Sequence, residues 1–566
     1  MRTQQLISAI LNTILISLLF HFTGQNTHAQ YFVKSYDFPP FTTRTEQGRS
    51  IERDYISGWS ITGNSNSTPN AGANDWMFLR LDNSGLLKCS ALLGFSGNDT
   101  SYTHVQLNTT NKEYVLAGSY FDVNSGKNKA SFSIVDTNCN HVMSKQIMDT
   151  LEHTYRQVVN NPSNIFTLAG YTEDPFNYGG GLRPNKILTS QYLPNGVLAW
   201  AFNYLTGVPS TEEAYSICHQ LTDGSYAITG RTNFKAGPGA LFDVFVTKLT
   251  PAGIPIWTKI YIFPMPGVNS DARRIIPMPD GGFVIIGWTN VFDPAANDIW
   301  VFRINSFGFP MWSTIYGTPS KVEKGYSIIL ATDGTLVFTG YTNTLGTEDI
   351  LTVKIPAVPP NAPIWSRVFD KITPNDRGYD IEEAFNPSGY GVTGQTMPAA
   401  SSSLDPFLMR TNSTGNVITG CVDSVSLPFM NVVLVLDSMN LYYEQAIDRP
   451  INPTKINPTP VVRNLCILSG VTGNQYNTPY KFTLKQNYPN PFNPTTNIEF
   501  ALPIGGFVTL KIYDITGKEI VNLINEYKNK GSYIMSFNAS NLPGGTYFYR
   551  LTSGDFSEVK KMLLLK

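Results

Sequence analysis

Acidic residues recur at one point of a repeated pattern in this chain: Glu212 and Glu213, Asp271, Glu323, Asp376, and the run Asp380-Ile381-Glu382-Glu383. Each group stands just before a strand that runs into a hairpin. If equivalent positions share one rim, then Glu212, Glu213, Asp271, Glu323, Asp376, Glu382 and Glu383 would surround one mouth. Such a collar could bind Ca²⁺ or a cationic ligand. The plainer reading is a solvated rim of mixed charge, because Arg273, Arg274, Lys321, Lys324 and Arg377 stand among the acids. No two carboxylates stand out as a glycosidase acid and base, though such a pair can be far apart in sequence.

Other reactive side chains give weaker signals. The five cysteines, Cys89, Cys139, Cys218, Cys421 and Cys466, include no C-x-x-C pair, which disfavours zinc. Cys421 and Cys466 bracket a segment in which the repeat frays, and a disulfide between them would pin the end of the repeats. Cys89 lies four residues after Gly85, where other copies have Trp four after Gly (Gly196/Trp200, Gly253/Trp257, Gly308/Trp312), and reads as a packing residue. An odd count leaves at least one buried free thiol. His104, His141, His153 and His219 fall at different places in their repeats and share no metal spacing. There is no phosphate-binding glycine loop, no G-x-S-x-G and no H-E-x-x-H. No cofactor is expected beyond the Ca²⁺ just named. Trp59, Trp288, Tyr171 and Tyr341 follow a repeated Gly and could stack on sugars, or pack between units.

The elements that must position these groups are seven copies of one unit between about Gln30 and Cys421. An apolar strand ends in Gly and is followed within two residues by Thr or Ser: Gly58, Gly118, Gly170, Gly230, Gly287, Gly340 and Gly394. After it comes a strand from an acid to a base, such as Asp243-Val-Phe-Val-Thr-Lys248 or Asp298-Ile-Trp-Val-Phe-Arg303. The acid reads as a turn acceptor, and the base, five residues on, faces the other side of its strand. A third strand runs from Trp to Tyr or Phe: WAFNY at Trp200, WTKIY at Trp257, WSTIY at Trp312, WSRVF at Trp365. Asp223-Gly224, Asp280-Gly281 and Asp333-Gly334 mark hairpins, since Gly accepts positive φ.

Four short strands in a little over fifty residues, seven times over, predict a seven-bladed β-propeller, with stacked β-sandwiches as the alternative. Residues 31–36, YFVKSY, match the Trp-to-Tyr strand and could begin the first blade or complete the last. The propeller assignment covers 30–470. In its last part, PINPTKINPTPVV reads as extended, Asn464 to Leu468 as a final edge strand, and residues 471–481 as a linker. The repeats resemble secreted propeller repeats with a D-x-φ-φ-φ-K/R core, a resemblance that implies architecture and no single activity.

Both ends speak of export. Residues 1–29 combine Arg2, an apolar stretch from Leu6 to Phe22 and small residues at Thr27-His28-Ala29, the anatomy of a cleaved signal peptide. No later stretch is long and apolar enough for a transmembrane helix. Residues 482–566 alternate in strand fashion, with Ile498, Phe500 and Leu502 on one face and Val508, Leu510 and Ile512 following. Turns separate these strands, which predicts a small Ig-like β-sandwich. Tyr488-Pro489-Asn490-Pro491-Phe492, the turn at Gly517 within VTLKIYDITGKEI, Leu542-Pro543-Gly544-Gly545-Thr546-Tyr547 and the tail from Lys560-Lys561 resemble the C-terminal sorting domain (type A-like) of type IX secretion substrates. That resemblance implies passage through the periplasm and then the outer membrane of Bacteroidetes-like bacteria. The partner would be the outer-membrane secretion machinery, and the destination the medium or the cell surface.

Composition agrees with a folded exported chain. It has 566 residues, 42% of them hydrophobic and only 15% charged, with 46 Gly and 37 Pro, which favours strands and turns. A net charge of −1 disfavours nucleic acid as a partner. The expected function is a non-enzymatic module that binds a protein or glycan. The alternative is an extracellular carbohydrate-active hydrolase or lyase on a propeller scaffold.

Overall fold

The computed structural model describes residues 32–37, most of 45–464 and most of 482–565. The expected signal peptide, the linker at 471–481, and both Cys421 and Cys466 lie outside the described residues. All regular elements among the described residues are β-strands, and no helix there is long and apolar enough to cross a membrane. The repeats form seven antiparallel five-stranded sheets in a propeller-like arrangement. Their first strands are Glu46–Arg53, Thr100–Gln106, His153–Asn160, Glu212–His219, Ser270–Pro277, Glu323–Leu330 and Arg377–Phe385. The sheets are numbered one to seven in that order. First strands of consecutive sheets are neighbours, and that of the seventh neighbours that of the first.

Every first strand carries a β-bulge at the same place, and the repeated glycine causes it. In the fourth sheet Ala214 pairs with Gly230 and Ser216 with Thr229, so Tyr215 is left unpaired. A Cβ on Gly230 would lie 1.8 Å from the Glu213 carbonyl oxygen. The same carbonyl approach occurs at Gly118, Gly170, Gly287, Gly340 and Gly394, between 1.8 and 1.9 Å. In the first sheet the equivalent residue is Gly63, opposite Gly48, with the Gln47 oxygen at 1.7 Å. The assignment of Gly58 to this series is therefore corrected: Gly58 lies just before its strand, at φ +110°.

The hairpin aspartates have a second task. Asp223, Asp280 and Asp333 accept an ion pair from Lys248, Arg303 and Lys354 of the same sheet, at 2.7, 2.6 and 2.6 Å. The recurrent base thus pairs with its own hairpin, and Arg80 does the same with Asp54 at 2.6 Å.

Outer edges are joined by another repeated contact. The Tyr261 hydroxyl donates to the Gly308 carbonyl of the next sheet at 2.9 Å, and Trp257 Nε1 to the Ser306 carbonyl at 3.3 Å. Tyr204 and Trp200 repeat this on Gly253 and Pro251. The turn glycine lets the ring approach: a Cβ on Gly253, at φ +80°, would meet Trp200 at 2.8 Å. In the first sheet the Trp position holds Cys89 and the turn position of the second sheet holds Cys139, at φ +61°. They form a disulfide with Cα atoms 5.9 Å apart. Cys89 is thus not a simple packing substitute: a covalent bond takes the place of the Trp–Gly contact. Cys218 is a buried free thiol, pushed up by its burial.

Phe32–Asp37 completes the seventh sheet by pairing with Asp405–Asn412, and the Tyr36 hydroxyl donates to the Gly85 carbonyl of the first sheet at 2.9 Å. The frayed segment has an unexpected course. It adds a fifth strand to every sheet, in reverse order. Asp423–Ser424 pairs with the sixth sheet, Phe429–Asn431 with the fifth, Val435–Ser438 with the fourth and Tyr442–Gln445 with the third. Asp448–Ile451 then pairs with the second, Thr454–Ile456 with the first, and Val461–Asn464 with the N-terminal strand in the seventh. These strands begin every six or seven residues. At about 3.3 Å per extended residue, a step of that length reaches at most about 20 Å. The belt covers all seven outer edges, which would otherwise offer unpaired backbone. The expected edge strand at Asn464–Leu468 is corrected in its start, since the last belt strand is Val461–Asn464; residues 465–468 lie outside the described residues.

Residues 482–565 form a three-stranded and a four-stranded sheet around one apolar core that includes Phe492, Phe500, Leu510, Tyr549, Leu551 and Met562. The Y-P-N-P-F stretch closes one side. Phe492 N–H donates to the Leu563 carbonyl at 2.9 Å, Leu565 N–H to the Phe492 carbonyl at 2.8 Å, and Leu563 N–H to Asn490 Oδ1 at 2.8 Å. The Pro489 carbonyl accepts from Thr496, and both Tyr488–Pro489 and Asn490–Pro491 are cis. Tyr547 donates to the Pro543 carbonyl at 2.8 Å, and Gly517 turns at φ +83°.

Candidate functional site: a cavity where the seven first strands meet

A bulge turns its extra residue out of the ladder and re-aims the side chain. The seven residues so displaced are Arg49, Tyr102, Arg156, Tyr215, Arg273, Tyr326 and Tyr379. All seven line one cavity of about 110 Å³. The residue after the bulge contributes a second layer in six of the seven sheets, which includes Gln157, Arg274 and Asp380. The backbone device is the same in every sheet, and the side chain it presents is always Arg or Tyr.

The arginines lie against tyrosine rings. Arg156 is 3.9 Å from the Tyr102 ring centre, Arg273 4.4 Å from Tyr215, and Arg49 4.6 Å from Tyr379. Tyr326 meets Tyr379 edge to face at 5.1 Å. Such contacts fix a guanidinium without neutralising it. Four Arg and one Asp line the cavity, 4 − 1 = +3. Asp380 is occupied by the scaffold: its oxygens accept from Ser327 Oγ at 2.6 Å and from the Ile51 N–H of the first sheet at 3.0 Å. Arg274 donates to Gln157 at 2.9 Å across the cavity.

Arg274 also acts electrostatically on two carboxyls outside the cavity lining, Glu52 and Glu382, from the first and seventh sheets. Burial and then Asp380 push Glu382 up to about 7, and burial and then Glu382 push Glu52 up. Repulsion between like charges in a poorly solvated place favours the protonated form of one partner.

Of the acids singled out in the sequence, Asp380 alone lines this cavity. Glu212 is fully buried against Lys186 at 2.7 Å. Glu323 is buried and accepts from Thr342 and Thr344, both at 3.0 Å. Asp376, also buried, accepts from the Met397 N–H at 3.2 Å. Glu212 and Glu323 begin first strands and Asp376 stands just before one; they tie these strand starts to the Thr-bearing strand or to neighbouring loops. Glu213 pairs with Arg231 at 2.8 Å and Asp271 with Arg273 at 2.6 Å, both beside the cavity. Glu383 accepts from the N–H and hydroxyl of Thr332, each at 2.9 Å. Among the described residues no group of three or more His, Cys, Asp or Glu is placed to hold a metal ion. Tyr171 accepts from Arg156 at 2.7 Å, and Lys324 and Arg377 cover Trp288 and Tyr341 at 4.4 and 4.9 Å. Trp59 packs on Gly391 and belongs to the core.

Sequence reasoning missed the Arg/Tyr set, yet a signal existed. An Arg or Tyr stands fourteen to sixteen residues before each repeated Gly, once Gly63 replaces Gly58.

Comparison with known proteins adds most at the C-terminus. No curated protein matches the chain. Among solved structures, PorZ, an essential bacterial surface component of the type IX secretion system of Porphyromonas gingivalis, aligns at 9% identity over 92% of this chain and 81% of its own, with a TM-score of 0.25. The exotype rhamnogalacturonan lyase YesX aligns at 9% identity over 67% of this chain and 86% of its own, with a TM-score of 0.19. Neither value amounts to a shared fold. Residues 486–565, in contrast, match the family model of the secretion system C-terminal sorting domain. With the hydrogen-bonded Y-P-N-P-F closure and the two-sheet core in view, this part of the chain is a sorting domain of type IX secretion substrates.

Proposed function

We propose that the chain is a seven-bladed β-propeller carried to the cell surface or the medium by the type IX machinery, where it works as a binding module. In this reading residues 1–29 are a cleaved signal peptide and 482–566 an Ig-like β-sandwich that the machinery reads. Closure of the propeller is supported by three contacts between the seventh and first sheets: Tyr36 to Gly85, Asp380 to Ile51, and Arg410 to the Asn83 carbonyl at 2.8 Å. One observation carries the binding role. The same bulge in all seven sheets delivers chemically active side chains to a single cavity, which stability alone does not require. The ligand is a protein or glycan that enters at this mouth.

The alternative, a carbohydrate-active hydrolase or lyase, is favoured by the Glu52–Glu382 pair, whose raised carboxyl could serve as a general acid. Two experiments test the proposal. Deleting residues 482–566 should leave the protein in the periplasm, and unchanged surface delivery would overturn the export reading. The full mature chain on glycan and peptide arrays, with and without Ca²⁺, should retain specific ligands. Turnover of a retained glycan, lost in Glu382→Gln, would replace the binding reading with the enzymatic one.

A further inference from the structure

We propose that the central cavity binds an oxyanion, a carboxylate, sulfate or phosphate group, through Arg49, Arg156, Arg273 and Arg274. This rests on the reading of the chain as a binding module whose ligand enters at that mouth.

The first observation is unspent positive charge. Arg273 has Asp271 as its carboxylate, but Arg49, Arg156 and Arg274 have none within salt-bridge reach among the described residues. Arg274 also acts on the buried carboxyls of Glu52 and Glu382, which leaves Arg49 and Arg156 as the pair with no such carboxylate; guanidinium groups gathered around one cavity repel one another, and an anion between them relieves that repulsion. Arg273 lies close enough to Arg156 and Lys324 to act on both electrostatically, and Lys324 is pushed down by burial first and by Arg273 second.

The second observation is unspent donors. The Nε–H groups of Arg49, Arg156 and Arg273 are buried and meet no acceptor among the described residues. Arg80 and Arg303, away from the cavity, also have a buried Nε–H of this kind, so what sets the trio apart is convergence: three such donors from three different sheets stand around one space that an acceptor would fill. A carboxylate, sulfate or phosphate offers pairs of oxygens with several lone pairs that guanidinium forks match.

The third observation is preorganisation. Tyr102, Tyr215 and Tyr379 hold the guanidinium planes at 3.9, 4.4 and 4.6 Å, so few rotamers remain to be frozen on binding. Asp380, the acid that lines the cavity, already accepts from Ser327 and Ile51, so its oxygens are engaged by the scaffold. A cavity of about 110 Å³ suits one small anionic group better than a chain of sugars. The group could be a free anion or the tip of a larger ligand, and the probes below separate the two.

The test is calorimetric titration of the full mature chain at low ionic strength with sodium sulfate, sodium phosphate, sodium glucuronate and glucose. Saturable one-site binding of at least one anion is expected, with none for glucose. Arg49→Gln and Arg156→Gln, checked for native circular dichroism, should each weaken binding about tenfold to a hundredfold. Arg49→Lys should fall between the wild type and Arg49→Gln, and Lys511→Gln in the sorting domain should match the wild type. Sulfate binding as tight as glucuronate assigns the site to the anionic group alone, and tighter glucuronate assigns it to an acid borne on a sugar; either supports the proposal. Absence of saturable binding by all three anions, or unchanged affinity in both glutamine variants, would overturn it. A neutral ligand found on the arrays and retained by Arg49→Gln would sink the anion site while leaving the binding module standing. No array ligand and no anion would sink both.

Discussion

The inner and outer ends of the seven sheets solve opposite problems with the same repeat. At the outer end the side chains themselves recur: Trp and Tyr of one sheet hold the turn of the next, as Trp257 and Tyr261 hold Ser306 and Gly308. At the inner end only the backbone recurs. The bulge opposite each repeated Gly is constant, while the residue it presents changes between Arg and Tyr from sheet to sheet. Recurrent side chains therefore mark the joints of the scaffold. A recurrent backbone with changing side chains marks the surface left for chemistry.

That contrast can be broken by mutation, and four experiments do so in descending order of effect. Cys89→Ser removes a cross-link between residues 50 apart in sequence, worth about 4 kcal/mol by loop-closure entropy. Denaturant unfolding should register that loss, which reducing agent should reproduce in the wild type. Gly230→Ala forces a Cβ onto the Glu213 carbonyl at 1.8 Å and should destabilise by about 3 kcal/mol or more, with loss of the local bulge. Tyr261→Phe leaves the buried Gly308 carbonyl without its donor, about 1–1.5 kcal/mol in the same assay. Arg49→Gln should leave stability within about 0.5 kcal/mol or raise it, since it removes charge from a repulsive cluster. A loss as large as that of Tyr261→Phe would make Arg49 a structural residue and erase the distinction between the two ends.

A smaller, pH-dependent effect sharpens the inner end. Glu382 is raised in the folded chain, so the native state holds its proton at pH values where the unfolded chain has lost it. Stability from this group is full below the ordinary carboxylate range and falls as pH rises through about 7. The melting temperature of the wild type should drop between pH 5 and pH 8, and Glu382→Gln should flatten that drop.

Much of the scaffold was legible because its signals are local. Asp-Gly turns, Trp-to-Tyr strands and a Gly every fifty-odd residues each state their own geometry. The first copy was misregistered at Gly58 because a Gly before a strand and a Gly within it look alike in a short window. Spacing separates them: Gly63 is twelve residues before Asp75, much as Gly230 is thirteen before Asp243. The acids were conspicuous because charge is easy to see in sequence, yet Glu212 and Glu323 spend it on strand starts. Arg49 and Tyr215 were hidden because a bulge breaks the alternation by which facing is judged. The partner of Cys89 was legible only in hindsight, from Cys139 standing where other turns have Gly. The belt was not legible at all. Its strands make backbone pairs with sheets far away in sequence, and backbone pairing leaves little pattern in side chains.

That belt determines how the molecule would answer a pull. Tension arriving from residue 465 onward reaches Val461–Asn464 first, where the last strand of the belt lies beside the N-terminal strand. Behind it stand six more ladders, and each of the seven has between two and four residue pairs. Load therefore cannot be shared across them in parallel. They must give way singly, from the seventh sheet to the first and then through the second to the sixth, in a sawtooth of small releases that leaves the four-stranded cores behind.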